Sequence, residues 1–262
     1  MKPVYAIGDI HGQKEMLDQA LALIVADGGP DAQIVFLGDY TDRGPDSRAV
    51  INTLIAGRDA GRDWVFIKGN HDRLFTNFVK HGIEHDTHVK SGISWLNPRL
   101  GGSMTLASYG LEGVMHFAHR SGTEPEVLDY FEGPTGQIDK DALQAMARSA
   151  VPEVHVDFLK NLPLWYQTDD LFFVHAGLRP GLPLAFQDPE DLIWIREPFL
   201  GSRADFGRLV VHGHTALDHP QHFGNRVDLD GGAGYGNPLI PAVFEGRDCW
   251  LLTDQGRVPL TP

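Results

Sequence analysis

Five short apolar runs in this chain each break off at a glycine beside an aspartate, asparagine or histidine. Val4-Tyr5-Ala6-Ile7 leads into Gly8-Asp9-Ile10-His11-Gly12, and Ile34-Val35-Phe36-Leu37 into Gly38-Asp39-Tyr40-Thr41-Asp42-Arg43-Gly44. Trp64-Val65-Phe66-Ile67 leads into Lys68-Gly69-Asn70-His71-Asp72, Leu171-Phe172-Phe173-Val174 into His175-Ala176-Gly177, and Leu209-Val210-Val211 into His212-Gly213-His214-Thr215. Carboxylate, carboxamide and imidazole donors without thiolates suit divalent Mn, Fe, Zn or Co. Asp9 and His11 stand two residues apart, so at an extended strand end both face one ion. Asp39 adds a carboxylate able to bridge two ions, while Asn70, His175 and one histidine of His212-Gly213-His214 complete a mixed O/N set.

Such a pair of ions would bring a shared water to a pKa of about 7, and the resulting hydroxide would attack phosphorus in line with the leaving oxygen. His71, next to Asn70, is the candidate acid for that oxygen, and Asp42 the partner that orients it and keeps it charged. Arg43 offers a planar fork of donors to phosphate oxygens. Two dications set against Asp9, Asp39 and hydroxide leave the site mildly cationic, although the chain as a whole carries a formal charge of -13.

These residues need strand ends gathered on one edge. Between the first two runs, Met16, Leu17, Ala20, Leu21, Ile24 and Val25 recur at helical spacing. After the second, Pro45-Asp46-Ser47 starts a helix with Val50, Ile51, Leu54 and Ile55 inward. Strand–helix alternation implies right-handed crossovers and a largely parallel sheet with ligands beyond its carboxyl ends. Residues 73–160 read as a helical cap, with helices at 73–80, 139–150 and 154–161 and no strand alternation between them. Strands follow at 164–168, 171–175, 208–212, 226–230, 242–245 and 248–253, with hairpin turns at Asp169-Asp170 and Gly246-Arg247. The expected assembly is one domain, 1–262, with the cap inserted in it.

The 262 residues, 42% apolar and 22% charged, suit a soluble globular enzyme with a sizeable core. The acidic balance argues against nucleic-acid and anionic-membrane partners. One cysteine, Cys249, permits no intrachain disulfide, and neither a secretory signal nor a spanning segment is visible, so a cytoplasmic protein is expected. His81, His85 and His88 share one helical spacing and read as a solvated cap face. His116, His119, His219 and His222 are not expected to be ligands. Trp95, Leu96, Leu100 and Leu106 suit either a substrate groove or plain cap packing.

Gly-Asp-Ile-His-Gly, Gly-Asp-Tyr-Thr-Asp-Arg-Gly, Gly-Asn-His-Asp, His-Ala-Gly and Gly-His-Thr, in this order over residues 8–215, resemble the signatures of the phosphoprotein phosphatase family of metallophosphoesterases. The resemblance implies an α/β fold, an αββα sandwich of two mixed sheets, and hydrolysis of phosphomonoesters at a dinuclear centre, with manganese the expected metal. By position, Asp9, His11 and Asp39 would bind one ion and Asp39, Asn70, His175 and His214 the other. His214 is preferred because the family's ligand directly precedes the threonine, leaving His212 behind it. Trp194-Ile195-Arg196 resembles the family's Trp-x-Arg, so Arg196 would clamp phosphate with Arg43 and Asn70. Asp228 to Gly236 resembles its glycine-rich strand.

Lys68 and Asp72 depart from the usual protein-phosphatase residues, and the long C-terminal loop of the eukaryotic enzymes is missing, which points to a bacterial-type member. The expected substrate is a phosphoserine or phosphothreonine phosphoprotein or phosphopeptide. The alternative is a symmetrical dinucleoside tetraphosphate hydrolase, because that group shares Gly-Asn-His-Asp, although it commonly lacks the aspartate that stands here as Asp42. A non-catalytic phosphopeptide-binding module would predict a missing ligand or acid, and every position is filled.

Overall fold

The computed structural model describes residues 2–118 and 126–262. The alternation at the start of the chain becomes β1 (Val4–Ile7), α1 (Lys14–Gly28), β2 (Gln33–Phe36), α2 (Ser47–Asp59), β3 (Trp64–Phe66) and α3 (Asn70–His81). Asp46 caps α2 by accepting the Ala49 amide at 2.9 Å, and Gly82 ends α3 in the left-handed region at φ 66°. Next come α4 (Gly102–Ser108), β4 (Val114–Ala118), β5 (Val127–Gly133), β6 (Gly136–Ile138), α5 (Lys140–Ala150) and α6 (Glu153–Lys160). The rest is β7 (Trp165–Gln167), β8 (Leu171–Val174), α7 (Pro189–Trp194), β9 (Leu209–His212), β10 (Gln221–His222), β11 (Arg226–Asp228), β12 (Ala242–Glu245), β13 (Asp248–Thr253) and β14 (Gly256–Pro259).

Two mixed sheets result. One runs β14-β13-β12-β1-β2-β3, with β1, β2 and β3 parallel and β12 antiparallel to β1. The other runs β10-β11-β9-β8-β7, parallel through β11, β9 and β8. Each strand's two-residue period splits its side chains between layers. Val4, Ala6, Val35 and Leu37 meet Phe173, Val211, Val227 and Leu229 between the sheets. Tyr5, Ile7, Ile34 and Phe36 turn outward against Leu17, Ile24, Val50 and Leu54 of the first helices. Phe172, Val174 and Val210 turn the other way against Leu192, Ile195 and Phe199. The result is the expected four-layer sandwich. Each large apolar side chain taken out of water contributes about 1.5–3 kcal/mol. The strands are therefore firmly seated, and so are the loops at their ends.

The stretch expected to be purely helical is not. β4, β5 and β6 form a separate three-stranded antiparallel sheet in it. Its register shifts between His116 and Phe117, and β5 buries Leu128 and Phe131, three residues apart, so the two-residue period is lost from the sequence. His119 lies outside the described residues. α3 stops at His81, so His85 and His88 sit in a loop and share no helix face with it. α4, α7, β10 and β14 lie where no element is expected, and most are short. Among the described residues, no helix is long and apolar enough to cross a membrane.

Candidate metal and phosphate site

The loops leaving β1, β2, β3, β8 and β9 meet at the carboxyl ends of their strands, where open parallel sheets bind ligands. Backbone contacts tie them together. The Ile10 and His11 amides donate to the Asp39 carbonyl at 3.1 and 2.8 Å, and the Gly12 amide to that of Tyr40 at 2.9 Å. Asp72 staples the second loop to the third: its Oδ2 accepts the Asp39 and Gly69 amides at 3.0 and 2.9 Å, and its Oδ1 the Tyr40 amide at 2.9 Å. Gly69 lies so close that a Cβ there would stand 2.0 Å from Asp39 Oδ1. The Gly213 amide donates to the His175 carbonyl at 2.8 Å, and the His214 amide to the Asp9 carboxylate at 3.1 Å.

Two buried donor groups form, His11 with Asp39 and His71, and Asp39 with His175 and His214, each with its ligand atoms within 4.8 Å of one another. Asp39 belongs to both, with Oδ2 3.6 Å from His11 Nε2 and Oδ1 3.4 Å from His175 Nε2. Asp9 stands beside the first, 3.9 Å from His11 Nε2. Asn70 Oδ1 joins the second, 2.9 Å from His175 Nε2 and 2.8 Å from His214 Nδ1. The expected ligands are thus brought together, with His71 also within reach of the first group.

The donor chemistry fits divalent cations. The Thr41 and Leu37 carbonyls can only accept, so His11 and His175 each donate Nδ1–H to them at 2.8 Å. That leaves an Nε2 lone pair aimed inward on both rings, and His175 Nε2 faces Asn70 Oδ1 with no proton to share. Burial, then Arg43, holds His11 well below its usual pKa, and burial with His175 does the same to His214, which keeps both neutral as ligands must be. Burial, Asp230 and Asp39 push Asp9 well above the carboxylate range, a penalty that a cation between the acids reverses.

The backbone marks the same place independently of side-chain chemistry. Among the described residues, the non-glycine residues with positive φ are His11 at 48°, Asp39 at 52°, Asp42 at 75°, Arg43 at 64° and His214 at 68°. Each such position costs about 1–3 kcal/mol, and such positions cluster at functional sites.

Beside the donor groups His71 donates Nδ1–H to Asp42 Oδ2 at 2.7 Å. Burial pushes Asp42 up to about 7, against the pull of its hydrogen bonds from Thr105 and Trp95. Burial also holds His71 down to about 3, with Asp39 opposing and Arg43 and Arg196 reinforcing. Arg43, stacked under Tyr235 at 4.7 Å, donates through Nη2 to His71 Nε2 at 3.1 Å and through Nη1 to His11 Nε2. Arg196 follows α7 and reaches the same cleft of about 210 Å³, which Asp39, Arg43, Asn70, His71 and His214 also line.

His212 points away, its Nε2 taking an N–H from Arg226 at 3.0 Å. Sequence reasoning missed several neighbours. Lys90 and His88 line the cleft, and His88 stacks on Trp194 with ring centroids 5.4 Å apart. Trp95 and Thr105 bond Asp42, and Asp72 staples the loops. Of these, Trp95 carries a signal as a groove or cap-packing residue, and Asp72 as a departure from the usual protein-phosphatase residue. His116 pairs with Glu132 and His222 accepts the Gly224 amide, both away from the ligand groups.

Residues 2–239 match the family described as calcineurin-like phosphoesterase. A symmetrical bis(5'-nucleosyl)-tetraphosphatase of Janthinobacterium sp. is 41% identical over 176 residues, 67% of this chain and 44% of that protein. The asymmetrical bis(5'-nucleosyl)-tetraphosphatase PrpE of Anoxybacillus flavithermus is 24% identical over 89% of this chain and 86% of its own length. A putative serine/threonine-protein phosphatase of Caenorhabditis elegans is 34% identical over 92 residues, and the chain spans only 24% of its length. Among solved structures, one titled a putative diadenosine tetraphosphatase superposes with a TM-score of 0.61 at 21% identity, covering 99% of this chain and 94% of that one. A cold-active protein-tyrosine phosphatase of a Shewanella species gives 0.62 at 14% identity, covering 100% and 81%.

Proposed function

The chain belongs to the calcineurin-like phosphoesterase family, and we propose that within it this protein is a metal-dependent phosphomonoesterase acting on phosphoserine and phosphothreonine. The supporting observation is the buried His71–Asp42 couple, 2.7 Å from Nδ1 to Oδ2. A serine or threonine alkoxide is a strong base and leaves only as it takes a proton. A nucleotide leaving from a phosphoanhydride is weakly basic and has little need of one, so a built acid couple favours the alkyl ester. Residues 1–262 would form one phosphoesterase domain with residues 73–160 as its cap, in a cytoplasmic protein.

Asp9, His11 and Asp39 would hold one divalent cation and Asp39, Asn70, His175 and His214 a second, manganese by preference. Bound there, such ions supply Lewis-acid neutralisation of phosphoryl charge and acidified water. Arg43, Arg196 and Asn70 grip the phosphate oxygens. Burial holds His71 deprotonated with the two arginines reinforcing it; a dianion between them offsets their share, and Arg43 turns to the phosphate, which leaves Nε2 free to take a proton from solvent. Nε2 then carries the proton. Water oxygen forms the new P–O bond as one of its protons passes to solvent, the ester P–O bond breaks, and its electron pair leaves on the side-chain oxygen, which takes the Nε2 proton. Asp42 holds Nδ1–H throughout.

A dinucleoside polyphosphate is the second reading, favoured by the names of the relatives that align along much of the chain. The deciding measurement is kcat/KM on manganese-loaded protein for a phosphothreonine peptide against diadenosine tetraphosphate. Preference for the peptide is expected, and preference for the dinucleotide replaces the first reading by the second. Asp42→Asn is expected to cut turnover of the peptide by about 10²–10⁴-fold with metal content retained. Undiminished turnover removes the acid couple from the reaction.

A further inference from the structure

We infer that Trp95 and Thr105, both outside the motif loops, are positioning residues that hold Asp42 in the one orientation that serves His71. The inference rests on the proposed acid couple and extends it to residues that touch neither phosphate nor metal. Asp42 Oδ2 receives two donors, His71 Nδ1–H and Trp95 Nε1–H, both at 2.7 Å. Asp42 Oδ1 receives Thr105 Oγ1–H at 2.7 Å, while Thr105 Oγ1 in turn accepts the Asp42 amide at 2.8 Å. Ser47 Oγ completes the ring, 3.1 Å from both the Asp42 amide and Thr105 Oγ1. Asp42, Trp95 and Thr105 are fully buried. No solvent is there to replace a lost donor, so the carboxylate plane is set by directional protein hydrogen bonds alone.

The grip is itself held. The indole packs against Phe75 and Phe78, with ring centroids 5.9 and 5.1 Å away. A Cβ on Gly102 would come within 2.4 Å of the indole, so the ring has one seat. Behind it, the Trp95 amide donates to the Glu84 carbonyl at 2.7 Å, and the buried Glu84 carboxylate takes Ser94 Oγ–H at 2.6 Å and the Leu128 amide at 3.2 Å. In front, Arg43 N–H donates to the Gly101 carbonyl at 3.3 Å, so the same segment braces the left-handed turn that carries both Asp42 and Arg43. If Asp42 rotates, His71 Nδ1 loses its partner and Nε2 loses its aim at the leaving oxygen.

The test compares two esters on manganese-loaded full-length protein: a phosphothreonine peptide, whose alkoxide needs the proton, and p-nitrophenyl phosphate, whose phenolate does not. Trp95→Phe and Thr105→Val are expected to lower kcat on the peptide by on the order of tenfold or more, the worth of one hydrogen bond to a charged group. KM for both esters and kcat on p-nitrophenyl phosphate should stay near those of the parent. Thr105→Ser, which keeps the hydroxyl, should restore the peptide rate. Equal losses on both esters, no loss on either, or failure of Thr105→Ser to restore the rate overturns the inference. Thr105→Val changes little but the hydroxyl and decides the matter alone if Trp95→Phe does not fold. Asp42→Asn separates the two levels. If it shows the ester bias and the other variants do not, only this inference falls. If it shows none, the acid couple falls with it.

Discussion

The turn at Asp42 and Arg43 is reached from two sides, by the strand-end loops of the sandwich and by residues 84–105, and the two sides are made differently. The loops bring charge and lone pairs: Asp9, His11, Asp39, Asn70, His175 and His214, each within four residues of the end of β1, β2, β3, β8 or β9. The facing segment places on that turn an indole, a hydroxyl, a backbone carbonyl and one glycine, with no formal charge among them. On the proposed reading, donor type on the first side sets what is bound. How the bound groups are aimed is set on the second by shape and hydrogen-bond direction. On that reading, ligand identity and ligand orientation come from different parts of this chain, and variants that remove one without the other test it.

The largest expected effect breaks the first side. Asp39→Ala removes the carboxylate common to both donor groups, so metal analysis should show loss of bound manganese. Turnover should fall by on the order of a thousandfold, several kcal/mol of charge stabilisation. Retained metal with full activity would mean that Asp39 does not bridge. The second side breaks at Gly101, which sits at φ 91°, where a Cβ would stand 2.2 Å from the Arg43 nitrogen. Gly101→Ala should lower thermal stability by about 1–3 kcal/mol and slow turnover while metal content stays whole. Loss of metal in that variant would erase the distinction between the two sides.

The smallest effect sharpens the picture of the frame that carries the first side. Burial pushes the Cys249 thiol up to about 12, so at pH 8 it is neutral and unreactive. The native protein should resist alkylation that goes to completion in denaturant, and ready labelling would mean that the inter-sheet layer opens.

Most of the first side was legible because its residues sit beside glycines at the ends of apolar runs, and side-chain type alone proclaims their chemistry. Asp72 was legible only as a departure from the family's usual residue, since its three backbone amides come from two loops that the sequence does not show to be adjacent. Trp95 could equally line a groove or fill a core; its hydrogen bond to Asp42 spans 53 residues and has no local pattern. Among its companions Leu96 and Leu106 are core, while Leu100 lines the cleft. The spacing of His81, His85 and His88 suggests one helix face, but α3 ends seven residues before His88, at a glycine whose capping role depends on its left-handed φ. β4 and β5 escape because the bulge between them destroys the period by which strands are recognised, and β6 is only three residues long.

The pairing of β1 has a consequence for how the protein is made. Val4 lies opposite Gln33 on one side and Phe244 on the other. During synthesis, at roughly 5–20 residues per second, β1 can dock on β2 early but waits many seconds for its second neighbour. Contacts of such long separation close slowly. Until then an apolar strand edge stays open beside Asp9 and His11, with His175 and His214 still to arrive. On this topology the nascent chain has an open apolar edge while the proposed donor set is still incomplete. Closure of that edge and completion of the donor set thus wait on the same late-arriving second half of the chain.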